Sequence, residues 1–156
     1  MNIVLLEPEI PQNTGNIGRT CCATGTKLHL IEPMKFRITE KNLKRAGMDY
    51  WKDLDVTTYI DFEDFMSKNP GAKIYMATTK APNVYSEVNF EPDCYIMFGK
   101  ESAGIPESIL VNNQDSDVLE FMGISARKGI GKVITALHFC DISGYTTSVA
   151  CSACSA

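Results

Sequence analysis

Short apolar runs alternate along this chain with segments that suit helices, and this alternation most constrains the fold. The runs that predict strands cover residues 2–6, 27–31, 55–60, 73–78 and 95–98. Strands that alternate with helices form βαβ units, because parallel strands need a crossover connection. We therefore predict an α/β fold with a mostly parallel sheet and helices on both faces. No repeat or linker interrupts the pattern, so we expect one domain over residues 1–156.

Prolines and capping residues predict the limits of the first helix. Two prolines should keep residues 7–12 extended, so that Asn13 or Thr14 caps a helix that runs to Thr24. Gly25 is its predicted stop, since glycine adopts the left-handed conformation that ends many helices. The predicted inner face consists of Ile17, Cys21 and Thr24.

Two later helices are also predicted from their caps. Asp61 should open one of them, with Asp64 at its third position in a capping-box arrangement. Thr39 should cap a short basic helix that Gly47 ends. The surrounding stretch has one acid, Glu40, and five cations: Lys35, Arg37, Lys41, Lys44 and Arg45. Such a run is either a solvated helix face or a surface that contacts phosphates.

Residues 95–106 have the layout of a ligand site. Tyr95–Phe98 predicts a buried parallel strand, followed at its carboxyl end by a glycine and a charged pair. A glycine at this point lets a ligand approach the backbone. The remaining markers of this stretch are Gly99, Lys100, Glu101, Gly104 and Pro106. An ordinary strand-to-helix turn explains the same residues, so both interpretations stay open here.

The composition is that of an ordinary globular protein, with 44% hydrophobic and 22% charged residues. No apolar run reaches the length of a membrane span, and the first apolar run is too short for a signal peptide. We therefore expect a cytoplasmic protein whose six cysteines stay reduced. The net charge of −4 argues against a surface coated in cations for nucleic acid.

The chain resembles a known family over several stretches. The first is residues 2–21, which read Asn-Ile-Val-Leu-Leu-Glu-Pro-Glu-Ile-Pro-Gln-Asn-Thr-Gly-Asn-Ile-Gly-Arg-Thr-Cys. The others are residues 28–33, 43–50, 78–80 and 98–101, with Gly104 and Pro106. Together they resemble the SPOUT superfamily of knotted RNA methyltransferases, and in particular its minimal single-domain branch, which methylates the ribose of the tRNA wobble nucleotide.

This resemblance implies a fold with a C-terminal trefoil knot, bound S-adenosylmethionine, and a homodimer whose two chains build each site. It implies methyl transfer to the ribose 2′-hydroxyl at position 34 of tRNA, C or U, without a metal or a membrane. Its catalytic residue matches Arg19. Its cofactor-binding residues match Ala77, Thr78, Gly99, Glu101, Gly104 and Met122. For RNA binding we name Asn13 of the first motif and Arg127 of the third, together with Lys41, Lys44 and Arg45 of the basic run, whose charge suits phosphates.

The family's proposed role for Arg19 is to help deprotonate the ribose hydroxyl. Arginine is a poor proton acceptor at neutral pH, so two other roles suit its chemistry better. It could stabilise the developing alkoxide, or it could align the neighbouring phosphate. The sequence leaves these roles open.

The chain departs from the family after its third motif. Residues 122–127 keep the spacing from methionine to arginine, but residues 128–133 read Lys-Gly-Ile-Gly-Lys-Val in place of a capped helix start. We therefore treat residues 128–156 as an atypical C-terminal segment and expect weak binding of S-adenosylmethionine. The alternative function is a knotted-fold protein that binds RNA or cofactor without turnover.

Overall fold

A parallel sheet of seven strands forms the centre of the structure, which is a computed structural model. The structure describes residues 1–39, 42, 49–78, 83–84, 88–113 and 117–120. The strands are β1 (Asn2–Leu6), β2 (Lys27–Ile31), β3 (Val56–Tyr59), β4 (Ile74–Thr78), β5 (Asn83–Val84), β6 (Tyr95–Phe98) and β7 (Asp117–Glu120). Their order across the sheet is β3-β2-β1-β6-β4-β7-β5, and each neighbouring pair is parallel.

Helices cover both faces of this sheet, which confirms the predicted fold class. They are α1 (Pro11–Thr24), α2 (Phe62–Lys68) and α3 (Glu107–Asn112), with a short 3-10 helix at Asp49–Lys52. Among the described residues, no helix is long and apolar enough to cross a membrane.

Alternation along β1 divides the core between the two faces. Ile3 and Leu5 pack with Ile17 of α1 on one face, whereas Val4 packs with Phe65 of α2 on the other. All five of these side chains are at most 5% exposed. Such alternation follows from the two-residue period of a strand, and it fixes α1 and α2 on opposite faces.

The start of α1 differs from the prediction. The helix begins at Pro11, two residues before Asn13, so the expectation that residues 7–12 are all extended is wrong for its last two members. Proline is well tolerated at the first helical position, where its missing N–H has no helical partner to lose. Asn13 and Thr14 therefore lie inside the first turn, where their backbone N–H groups donate to the carbonyl of Ile10.

The predicted stop at Gly25 and the predicted caps at Asp61 and Thr39 are confirmed. Gly25 adopts the left-handed conformation with φ 66°, and its N–H donates to carbonyls of α1. Asp61 accepts a hydrogen bond from the backbone N–H of Asp64 at 2.7 Å. Thr39 accepts from the N–H of Asn42 at 3.3 Å, as a cap would. The predicted stop at Gly47 lies outside the described residues.

The sequence analysis missed three elements: β5, β7 and the 3-10 helix. β4 lies between β6 and β7, since its Ala77 pairs with both Phe98 and Leu119. The carboxyl ends of these three parallel strands therefore lie side by side. β1 lies between β2 and β6, and the chain extends the sheet first to one side of β1 and then to the other. This is the topological switch point at which open α/β sheets bind ligands.

A buried histidine forms a polar network beneath α2. His29 is 6% exposed and contacts the rings of Tyr59, Phe65 and Tyr95. Its Nδ1 lies 2.9 Å from the Tyr59 hydroxyl, while Asn69 donates to that hydroxyl and accepts from the hydroxyl of Tyr95. Burial lowers the pKa of His29 from 6.5 to about 4, so the ring is neutral at neutral pH.

This burial predicts an acid-sensitive fold. As the pH falls from 6.5 to about 4, the unfolded chain binds a proton at His29 that the folded chain does not. The free energy of unfolding should therefore fall over this window by up to roughly 3 kcal/mol. Urea unfolding at each pH measures this slope, and His29→Gln should flatten it. Equal slopes in the two proteins would contradict the assignment.

Candidate active site

A tight loop follows β6 at the carboxyl edge of the sheet. The backbone of Lys100 exchanges two hydrogen bonds with that of Gly104, at 3.1 and 2.8 Å. Gly104 has φ +74°, and a Cβ on Gly99 would lie 2.1 Å from the backbone carbon of Gly104. Gly99 is therefore required because the loop folds back on itself, a different reason from the ligand approach that the sequence suggested.

The side chain of Glu101 connects this loop to the start of α1. Its carboxylate accepts from the backbone N–H of Glu9 at 2.8 Å, from that of Ile10 at 3.4 Å, and from Asn13 Nδ2 at 3.2 Å. We call these three contacts the Glu101 clamp. The clamp matters because Ile10 provides no side-chain cap and the first turn of α1 has no acid of its own. A negative charge near the N-terminus of a helix also interacts favourably with the helix dipole.

Two ion pairs reinforce the same junction. Glu9 accepts from the backbone N–H of Ser102 at 2.9 Å and from the ammonium of Lys35. The hydrogen bonds from Lys35, and then from Ser102, lower the pKa of Glu9 to about 2, so this carboxylate is ionised at neutral pH. Lys100 pairs with Glu7 at 2.6 Å. The loop after β6 and the segment after β1 are thus joined by the Lys100–Glu7 ion pair and by the hydrogen bond from Ser102 to Glu9.

Arg19 lies further along α1 and is not brought to the clamp. It is eight residues beyond Pro11, about 12 Å along the axis at roughly 1.5 Å per residue. Its guanidinium carbon lies 5.4 Å from the ring centre of Tyr50, within the range of a cation–π contact. The Tyr50 hydroxyl donates to the carbonyl of Gly15, and burial raises the pKa of that phenol. The exposed Arg19 is therefore oriented by a fixed aromatic ring.

The predicted cofactor residues within the described range lie together. Ala77 and Thr78 end β4, and Ala77 pairs with Phe98, the residue before Gly99. Gly104 closes the adjoining loop. Open α/β sheets bind their ligands at the carboxyl ends of parallel strands, where these residues lie. This arrangement fits S-adenosylmethionine; Met122 lies outside the described residues.

Of the predicted RNA-binding residues, the structure describes Asn13 alone. Lys41, Lys44, Arg45 and Arg127 lie outside the described residues. Asn13 is described, and its side chain donates to Glu101. Binding of RNA by Asn13 and of cofactor by Glu101 stay predictions, to which the structure adds a shared role in fixing α1. No group of three or more metal-ligand side chains occurs in the described part of the chain.

Sequence reasoning missed several members of this site. Glu7 and Glu9 had been considered only as residues of an extended segment, and Tyr50 only as part of a matching stretch. A signal for the acids was available, because they follow a buried strand at the sheet edge where open α/β folds place their sites. Nothing local marks Tyr50 as the partner of Arg19, since 31 residues separate them.

Comparisons with known proteins show what the chain is similar to. The model of the SpoU rRNA Methylase family matches residues 1–119. The tRNA (cytidine(34)-2'-O)-methyltransferase of Escherichia coli strain K12 is 46% identical over 110 residues, which are 70% of each chain. A solved structure concerned with the 2-OH methylation of C/U34 on tRNA is 33% identical, with a TM-score of 0.79 over 92% of this chain and 97% of that chain.

A more distant structure shares the fold alone. The SpoU methyltransferase AviRb from Streptomyces viridochromogenes, in complex with the cofactor AdoMet, is 15% identical. It superposes with a TM-score of 0.75 over 93% of this chain and 59% of that chain.

The Glu101 clamp predicts a specific loss of stability. Glu101→Gln keeps the size of the side chain but removes the charge that accepts three N–H donors. We expect the free energy of unfolding to fall by roughly 1–3 kcal/mol. Glu91→Gln, at an exposed carboxylate, is the matched control and should change it by less than about 0.5 kcal/mol. Equal effects of the two substitutions in urea titrations would contradict the clamp.

Proposed function

The chain belongs to the SpoU rRNA methylase family, and from that premise we propose that it is a tRNA 2′-O-methyltransferase. It transfers a methyl group from S-adenosylmethionine to the ribose 2′-hydroxyl of the wobble nucleotide, C or U at position 34. The observation that carries the proposal is the Glu101 clamp, which joins the predicted cofactor loop to the helix that presents Arg19.

The chain's own residues would hold the cofactor at the carboxyl edge of the sheet. Ala77 and Thr78 of β4 form one side of that place, and the loop from Gly99 to Gly104 forms another. We propose that Met122 completes it. When bound, S-adenosylmethionine supplies the methyl group as a sulfonium, so the protein has to align the hydroxyl and manage its proton.

Arg19 provides the positive charge for that task. A guanidinium keeps its charge at neutral pH and is better suited to stabilise an alkoxide than to accept a proton. Its cation–π contact with Tyr50 restricts the side chain, which lowers the entropy lost on orienting it towards substrate. We therefore assign Arg19 to stabilisation of the developing 2′-oxyanion.

We propose that two chains build each site. Arg19 lies about 12 Å along α1 from the helix start that Glu101 contacts, too far for one chain to complete the site at the clamp. In a homodimer, Arg19 of one chain can approach the cofactor loop of its partner. We propose that the protein acts on tRNA in the cytoplasm and that its reaction uses neither a metal nor a membrane.

Further contacts to tRNA would come from the cations of the basic run and from the third motif. We assign phosphate contacts to Lys41, Lys44, Arg45 and Arg127, and an RNA contact to Asn13. A local run of cations can bind phosphate even though the net charge of the chain is −4.

A second candidate function is favoured by one observation. The match to the family model ends at residue 119, before the third motif at residues 122–127. If residues 128–156 do not complete the cofactor pocket, the protein binds RNA or cofactor without turnover. Product mapping together with binding calorimetry separates the two functions.

The proposed reaction predicts where the methyl group goes. Incubation with unmodified tRNA and tritiated S-adenosylmethionine should place the label on the ribose of nucleotide 34, as read by nuclease digestion and mass spectrometry. Arg19→Ala should lower turnover by about 10² or more and leave cofactor affinity within about threefold. Lys27→Ala, at the amino end of the sheet, is the matched control and should keep full activity.

Two outcomes would contradict this proposal. Label on a base, or on a ribose elsewhere in the tRNA, would refute the assigned substrate position. Binding of tRNA and cofactor with no transfer in any tRNA would favour the second candidate function.

A further inference from the structure

A cleft of about 580 Å³ opens beside the edge strand β3. Its walls are the segment that follows β2, the exposed face of β3 and the 3-10 helix. The residues that matter here are Glu32, Phe36, Arg37, Thr39, Trp51 and Thr58. We call it the aromatic cleft, and none of the sequence predictions used it.

The floor of the aromatic cleft is rigid. Trp51 and Val56 pack against the buried cluster that includes Ile17 and Leu54. A Cβ on Gly18 would lie 3.0 Å from the indole of Trp51, so α1 and the 3-10 helix are in close contact. A cleft whose aromatic wall is fixed by the core can bind a flat ligand with little loss of side-chain entropy.

The chemistry of the lining suits a nucleobase. Phe36 and Trp51 offer aromatic surface, on which unpaired bases stack in RNA complexes. Glu32 can accept a hydrogen bond from the exocyclic amino group of a base. The exposed Arg37 belongs to the run of five cations against one acid, which complements a phosphate backbone.

The aromatic cleft also lies next to the residue proposed for catalysis. The ring centres of Trp51 and Tyr50 are 6.5 Å apart, and the guanidinium of Arg19 lies over the ring of Tyr50. A nucleotide in the cleft would therefore be a neighbour of the one whose ribose meets Arg19. We propose that the aromatic cleft binds an unpaired base of the substrate RNA that flanks the methylated nucleotide. This inference rests on the proposed function and adds a subsite that reads the flanking base.

Fluorescence gives a direct test, because Trp51 is the single tryptophan of the chain. The probe is a synthetic anticodon stem-loop RNA, titrated without cofactor so that no turnover occurs. A base stacked on Trp51 should quench its emission in a saturable way. The same RNA with an abasic residue at the flanking position should lose most of the quench and bind about tenfold more weakly.

A matched pair of variants locates the effect. Thr58→Phe fills the aromatic cleft, whereas Thr57→Phe places the same side chain on the other face of β3, because neighbouring residues of a strand point to opposite faces. Thr58→Phe should weaken RNA binding about tenfold and Thr57→Phe by less than twofold. If Thr58→Phe does not fold by circular dichroism, Arg37→Glu with Lys27→Glu as its control replaces the pair.

The outcomes separate this inference from the proposed function. Two results would overturn the proposed base-binding role of the aromatic cleft while methyl transfer at nucleotide 34 still supports the proposed function. One is that abasic RNA quenches Trp51 as strongly as intact RNA, and the other is that both threonine variants weaken RNA binding equally. A quench that depends on protein concentration without RNA would assign the cleft to a second copy of the chain and also overturn it. Quenching that abasic RNA and Thr58→Phe both remove supports the cleft even if no methyl transfer occurs.

Discussion

The carboxylate of Glu101 is the interaction on which the rest of the site depends. It lies 92 residues from Glu9, yet it supplies the negative charge that the first turn of α1 lacks. A helix start with unpaired N–H donors is costly when it is partly buried, so the contact fixes α1 to the loop after β6. Through that helix the contact connects the predicted cofactor loop to the residue Arg19.

The parallel sheet explains why this contact can form. β1 and β6 are neighbours with the same direction, so the segments that follow them leave the sheet at the same edge. Gly99 and Gly104 let the second segment turn back sharply enough to present Glu101 to the first. The pairs of Lys35 with Glu9 and Lys100 with Glu7 then neutralise the acids that this convergence brings together.

Local sequence patterns predicted most of the secondary structure but few of the side-chain contacts in the site. The five predicted strands, the stop at Gly25 and the cap at Asp61 depend on residues close in sequence, so their signals are present in short windows. The start of α1 was misplaced because Pro11, which was expected to keep the chain extended, occupies the first helical position. The buried His29 and the aromatic cleft were missed because each is formed by residues from several elements.

A double-mutant cycle tests most directly whether Glu101 acts through the helix that carries Arg19. The rate of methyl transfer at saturating S-adenosylmethionine would be measured for Glu101→Gln, Arg19→Ala, the double variant and the unaltered protein. If the clamp orients Arg19, Glu101→Gln should lower the rate about tenfold or more when Arg19 is present. The same substitution should have little further effect in the Arg19→Ala variant. Two effects that multiply in the double variant would show that Glu101 and Arg19 act independently, and would contradict this account.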